Sequence, residues 1–292
     1  MDMYPAERRG EGLGYLMTAN IVGSFASPLF TAAMIPLAAF AHLDQYAVIL
    51  LVSSLLLTLA AVFIVRINPD TKEIGKNLSS YYPGVSVNEL ADDSPTSEGG
   101  SSAKSILFFP IFAAFIASAF AWGNMTMMMS LVSIVLHQHD VVLTLISFAI
   151  TLHIFGMYGL SGPLGWLCDR MRRKPVTMLG GLILGIGALL TPLTSSYPII
   201  VFAIFLVGLG WSAANVATSA LISDVTPAER RGRILGANDV SIGLASLSLP
   251  AVGGVVLSTL GFVGFGISGL LLALPALLII IPLREIRPGK YA

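Results

Sequence analysis

Asp224-Val225-Thr226-Pro227-Ala228-Glu229-Arg230-Arg231-Gly232-Arg233-Ile234-Leu235-Gly236 decides how this chain is built, because it is written twice. The first copy runs from Asp2 to Gly14, 222 residues earlier, and nine of thirteen positions are identical. A repeat at that distance marks two related halves. Between and after the copies the chain is strongly apolar. Of its 292 residues 55% are hydrophobic and 11% charged, against about 25% charged in a soluble domain, and the mean hydropathy is +0.84. This is the composition of an all-α, polytopic membrane protein. The net charge is zero and says nothing about partners, and the single cysteine, Cys168, excludes an internal disulfide.

A helical span needs roughly 20 apolar residues to cross about 30 Å of hydrocarbon. Residues 12–43, 45–65, 105–136 and 141–168 each lack Lys, Arg, Asp and Glu. The uncharged run 175–223 is long enough for two spans, with a break from Thr191-Pro192 to Tyr197-Pro198. Two more lie between Ile234 and Leu283, divided by a weak break at Thr259-Leu260-Gly261. The pattern predicts eight transmembrane helices. In that arrangement all 16 Lys and Arg residues fall on one side. The positive-inside rule puts that side, and both termini, in the cytoplasm; the expected location is the plasma (inner) membrane. Residues 67–104, rich in Ser, Asp, Glu, Gly and Pro, read as a flexible linker. It separates a two-helix remnant of one half, residues 1–66, from a six-helix half, residues 105–292.

Gly165-Trp166-Leu167-Cys168-Asp169-Arg170-Met171-Arg172-Arg173-Lys174 occupies the short turn between the fourth and fifth spans. It resembles the major facilitator superfamily signature G-x-L-x-D-R-x-G-R-R/K. The match holds at Gly165, Leu167, Asp169, Arg170, Arg173 and Lys174, and fails at Arg172, where the family usually has glycine. The repeated segment resembles the one that precedes the family's fifth and eleventh helices. The resemblance implies the C-terminal two-thirds of a twelve-helix fold, with the equivalents of helices one to four not encoded. The offset predicts the same. A half beginning near Lys104 and displaced by 222 residues would start about 120 residues before Met1.

The resemblance further implies a secondary active transporter of small molecules that works by alternating access, coupled to protons and running as an exporter. The alternative is a truncated, non-transporting membrane protein or an assembly partner. Gly165, Asp169, Arg170, Arg173, Lys174, Glu229, Arg230, Arg231 and Asp239 are the gating candidates. A carboxylate such as Asp169 can cap a helix N-terminus, and the arginines can pair with acidic helix ends and lipid headgroups. Thr226 as N-cap, Pro227 at the first helical position and Glu229 three residues on form a capping box.

Polar groups on apolar spans are the candidates for the substrate or proton path. Asn124 stands beside Trp122 and the methionines at 125 and 127–129, an adaptable surface. His153 falls near mid-bilayer, where an ionisable group is a functional candidate. Trp211 and Asn215 are one turn apart. Asn238 and Asp239 lie roughly 6–9 Å inside the seventh span, and Asp239 reads as a gate or salt-bridge residue rather than a proton carrier. Gly23 and Pro28 keep part of the glycine-proline motif of drug antiporters, as do Pro250, Gly253 and Gly254. His137-Gln138-His139-Asp140 reads as a polar outer turn, not a metal site. The sequence has no nucleophile motif, phosphate loop or HExxH. It calls for no enzyme activity, cofactor, metal or nucleic-acid partner; the expected partners are a small-molecule substrate, the lipid bilayer and protons.

Overall fold

The computed structural model describes residues 9–69, 74, 78–81, 108–138, 141–226 and 228–283. Pro227, His139, Asp140 and most of the expected linker lie outside the described residues, as do the side chains of Asp169 and Glu229. The chain forms two compact units, Met1–Ser102 and Ala103–Ala292.

In the first unit α1 (Arg9–Ala41) and α2 (Gln45–Val65) pack as a hairpin. The turn follows from its residues. His42 takes a positive φ of 53°, and the Asp44 carboxylate accepts from the backbone N–H groups of Tyr46 and Ala47 at 2.9 and 3.1 Å, an N-cap for α2. Only Val48 is buried along α2. A helix that is apolar on every face and packed on almost none has hydrocarbon as its surroundings. A single further turn is described at Leu78–Tyr81.

The second unit begins with α3 (Phe108–Gln138). The next span, α4, is Leu143–Ile154, a five-residue π-turn Phe155–Gly159, and Ser161–Met171. Then come α5 (Arg173–Leu190), a 3₁₀ turn at Thr191–Leu193, α6 (Tyr197–Val225) and α7 (Ala228–Leu278). The Pro192-to-Pro198 break is thus real. The last break takes a different form from the one expected. Among the described residues seven helices are long and apolar enough to span a membrane, because α7 is continuous except at Gly261. That residue has φ 65° and ψ −166°, a conformation open to glycine and closed to residues with a Cβ. The candidate span within α7 is 49 residues long, and at 1.5 Å per residue it is about twice what one crossing needs. The segments on either side of Gly261 are α7a and α7b, the seventh and eighth spans of the sequence reading.

The six spans of this unit pack around α6, which touches α3, α4 and α5; α7 lies along α3 and α5. Glycine lets the α5 and α6 backbones meet. A Cβ on Gly180 would stand 2.7 Å from the Gly210 carbonyl oxygen, and one on Gly210 would stand 2.6 Å from that of Gly180. The small-residue face replaces the water-driven collapse that hydrocarbon surroundings do not supply.

Candidate functional site

A gathering of polar and aromatic groups inside the second unit lies where α3, α4 and α6 converge. Trp211 on α6 is 2% exposed and forms its centre. Trp122 on α3 meets it edge to face, with centroids 4.6 Å apart and planes at 89°. Tyr158 on α4 does so from another side, at 5.9 Å and 74°. The Trp122 indole N–H donates to Asn215 Oδ1 at 3.0 Å, so the turn-apart pair Trp211 and Asn215 does share one patch. Tyr158 arrives there from the π-turn. One extra residue per turn rotates the rest of the helix by about 100° relative to a plain α-continuation. Gly156 in the same turn sits tightly on α6, where a Cβ would be 2.8 Å from the Phe205 carbonyl oxygen.

The other three polar candidates are elsewhere, each in a separate helix–helix contact. Asn124 is fully buried and donates through Nδ2 to the Gly269 carbonyl on α7b at 2.7 Å. His153 Nδ1 lies 2.8 Å from the Ile204 carbonyl on α6. A carbonyl only accepts, so Nδ1 carries the proton. Its Nε2, like Asn124 Oδ1 and Trp211 Nε1, is buried with no partner among the described residues. Asn238 on α7a accepts through Oδ1 from Ser118 on α3 at 2.7 Å.

The gating candidates collect at the basic end of the unit. Arg173 Nε pairs with Asp224 Oδ2 at 2.8 Å, and its Nη1 reaches the buried Cys168 sulfur at 3.7 Å. Lys174 Nζ donates to the carbonyls of Ile281 and, at 3.3 Å, Leu283, where the polypeptide leaves α7b. Arg231 Nη2 donates to the Ser223 carbonyl in the last turn of α6 at 3.1 Å. Cations thus meet two carbonyl-rich helix ends, where the dipole favours them. Arg170 lies 5.3 Å over the ring of Trp166, which is 61% exposed. Gly165 faces open space. Arg230 and Asp239 are exposed and have no partner among the described residues. The expected cap is not formed as drawn: the Thr226 hydroxyl is buried and without a partner among the described residues. No cluster of three His, Cys, Asp or Glu among the described residues is placed to hold a metal.

The sequence profile of the Major Facilitator Superfamily matches residues 111–291, more than half of the chain. The chain belongs to the Major Facilitator Superfamily. An uncharacterized MFS-type transporter of Bacillus subtilis, YddS, is 29% identical over 153 residues, which are 51% of this chain and 35% of the relative. A second from the same organism, YdeG, is 31% identical over 141 residues, 47% of this chain and 32% of the relative. The human solute carrier family 2, facilitated glucose transporter member 12, is 31% identical over 84 residues, 29% and 14%. The chain therefore spans about a third or less of the length of these relatives. It is an integral membrane protein of the superfamily.

Membership makes sense of Arg172. Its φ is 76° and ψ 170°, a region for which glycine is suited and other residues are not. That is the position where the superfamily signature has glycine and this chain has arginine. Three partners were not among the sequence candidates: Tyr158, Ser118 and Asp224. Asp224 had a signal, since it is the first residue of the repeated segment. Tyr158 depends on a π-turn that no periodicity announces. Ser118 is one small hydroxyl among many.

Proposed function

We propose that the protein is a secondary transporter of small molecules, working by alternating access, with the Trp122–Tyr158–Trp211–Asn215 patch contributing to the substrate path. The observation that carries this reading is an aromatic and amide cluster, centred on the buried Trp211, among spanning helices, with a separate layer of polar contacts, the Arg173–Asp224 ion pair included, at their basic end. Transporters bind near mid-bilayer and open one end at a time. Ion pairs and carbonyl caps at a helix end suit an opening step, because each is individually weak.

Proton coupling and export belong to the same proposal. His153 supports the first, as an ionisable group buried between α4 and α6 with Nε2 unpartnered among the described residues. Asp239 is read as a gate residue near the basic end. In this reading the membrane is the plasma (inner) membrane, and the positive-inside rule supports a cytoplasmic position for that end. The test is solute-induced dissipation of a pH gradient across vesicles holding the purified protein, read with an entrapped pH dye. Dissipation by at least one solute, lost in Trp211→Ala and slowed in His153→Gln, is expected. A gradient untouched by every solute of a broad panel overturns the proposal.

A further inference from the structure

The patch does more than gather rings: it fixes which way its amide faces. The Trp122 indole N–H occupies Asn215 Oδ1, and an indole nitrogen can only donate. The amide is thereby locked with its NH₂ group free, and that group has no partner among the described residues. Tyr158, half-buried with its ring against Trp211, has a hydroxyl that likewise finds no partner among the described residues. At the amide the open hydrogens are donors, while the Tyr158 hydroxyl can both donate and accept.

Charge is distant. In sequence α3 holds no Lys, Arg, Asp or Glu, and those of α4, α5 and α6 all sit at the basic end. His153 has its protonated nitrogen engaged by Ile204 and is buried in the α4–α6 contact. Within α7a the carboxylate nearest the patch is Asp239. Ala245, whose carbonyl faces Gly123 beside Trp122, is six residues further on, about 9 Å along the axis.

We infer that the patch selects an uncharged solute with a flat ring face and hydroxyl or carbonyl acceptors, and that Trp122 is a positioning residue that sets this preference by holding the Asn215 amide. The inference rests on the transport reading of the same patch. An organic cation would find ring faces, but it would meet an amide NH₂ instead of a carbonyl or carboxylate. An anion would find donors, but no cation within the spans of this unit beside the patch to balance its burial.

The three tryptophans make the test direct. In the full chain carrying Trp166→Phe, tryptophan fluorescence, excited selectively over tyrosine, comes from Trp122 and Trp211 alone. Three probes share a quenching nitrophenyl ring: p-nitrophenyl glucoside (uncharged), p-nitrobenzyltrimethylammonium and p-nitrobenzoate. Saturable quenching by the glucoside, about tenfold or more tighter than by either ion, is the expected result. Trp122→Phe, still reporting through Trp211, releases the amide to turn and brings the cation to within about threefold of the glucoside. Asn215→Leu weakens the glucoside selectively. Equal or tighter binding of the cation in the Trp166→Phe chain, lost in Tyr158→Ala, overturns the solute class while the patch reading stands. Failure of all three probes to quench saturably overturns both. A preference unchanged by Trp122→Phe overturns the positioning role, and circular dichroism and gel-filtration profiles matched to the parent ensure that such a result speaks to the patch and not to misfolding.

Discussion

At the middle of the second unit Gly180 and Gly210 bring two backbones so close that no Cβ fits between them. At its basic end Arg173 and Asp224 hold neighbouring elements together through two side chains, both partly open to solvent. The first contact has one geometry and no substitute. The second can break, hydrate and reform, because a partly exposed ion pair nets about 1 kcal/mol or less. The contrast separates a contact that tolerates no added atom from one that can open, and under the transport proposal the basic end is where the helices would part first. Trp211, the centre of the aromatic patch, directly follows Gly210, so the patch adjoins the close-packed contact and not the basic end.

Four substitutions break or sharpen this comparison. The largest effect is expected in the glycine contact. Gly210→Ala forces a methyl into the Gly180 carbonyl and is expected to cost about 2–3 kcal/mol, seen as a large fall in the thermal midpoint by fluorescence-detected gel filtration. Gly236→Ala, which faces open space, is the control and leaves the midpoint in place. Equal tolerance at both sites would dissolve the rigid half of the comparison.

Next is Asn124→Ala. It removes the buried hydrogen bond to Gly269 and is expected to cost about 1–2 kcal/mol in the same assay. At the basic end, Arg172→Gly is expected to raise stability by about 0.5–1 kcal/mol. Relief of the left-handed backbone exceeds the added freedom of the unfolded glycine. A lowered midpoint would mean that the arginine side chain contributes more than its backbone costs.

The smallest change in stability is expected from Asp224→Ala, under about 1 kcal/mol. Its readout is kinetic. Cys168 is buried and touched by Arg173, so freeing Arg173 is expected to speed maleimide labelling of the single cysteine several-fold. Unchanged labelling would show that this end is as fixed as the middle.

Much of the architecture was legible because it follows from one-dimensional physics. Uncharged runs of sufficient length mark spans, and the prolines at 192 and 198 mark a turn. The Gly261 break was placed but not its character, since one residue with an unusual φ kinks a helix without ending it. At the candidate site, Trp211 and Asn215 were visible as neighbours by helical spacing. Asn124, His153 and Asn238 were visible as polar groups in apolar runs, but their directions were not. Which of them meet depends on how α3, α4, α6 and α7 are rotated, and side-chain spacing along one helix carries no information about the rotation of another.

The sequence by itself determined the membrane class, the position of the basic end and, through the repeat and the Gly165–Lys174 turn, the superfamily. Each of these rests on hydrophobicity, charge or order along the chain. The tertiary structure alone decided that Trp122 takes up the Asn215 carbonyl, that a π-turn brings Tyr158 to Trp211, and that Asp224 rather than a more distant acid receives Arg173. Those are contacts between helices, fixed by packing at distances of a few ångströms, and only the folded arrangement of the backbones sets them.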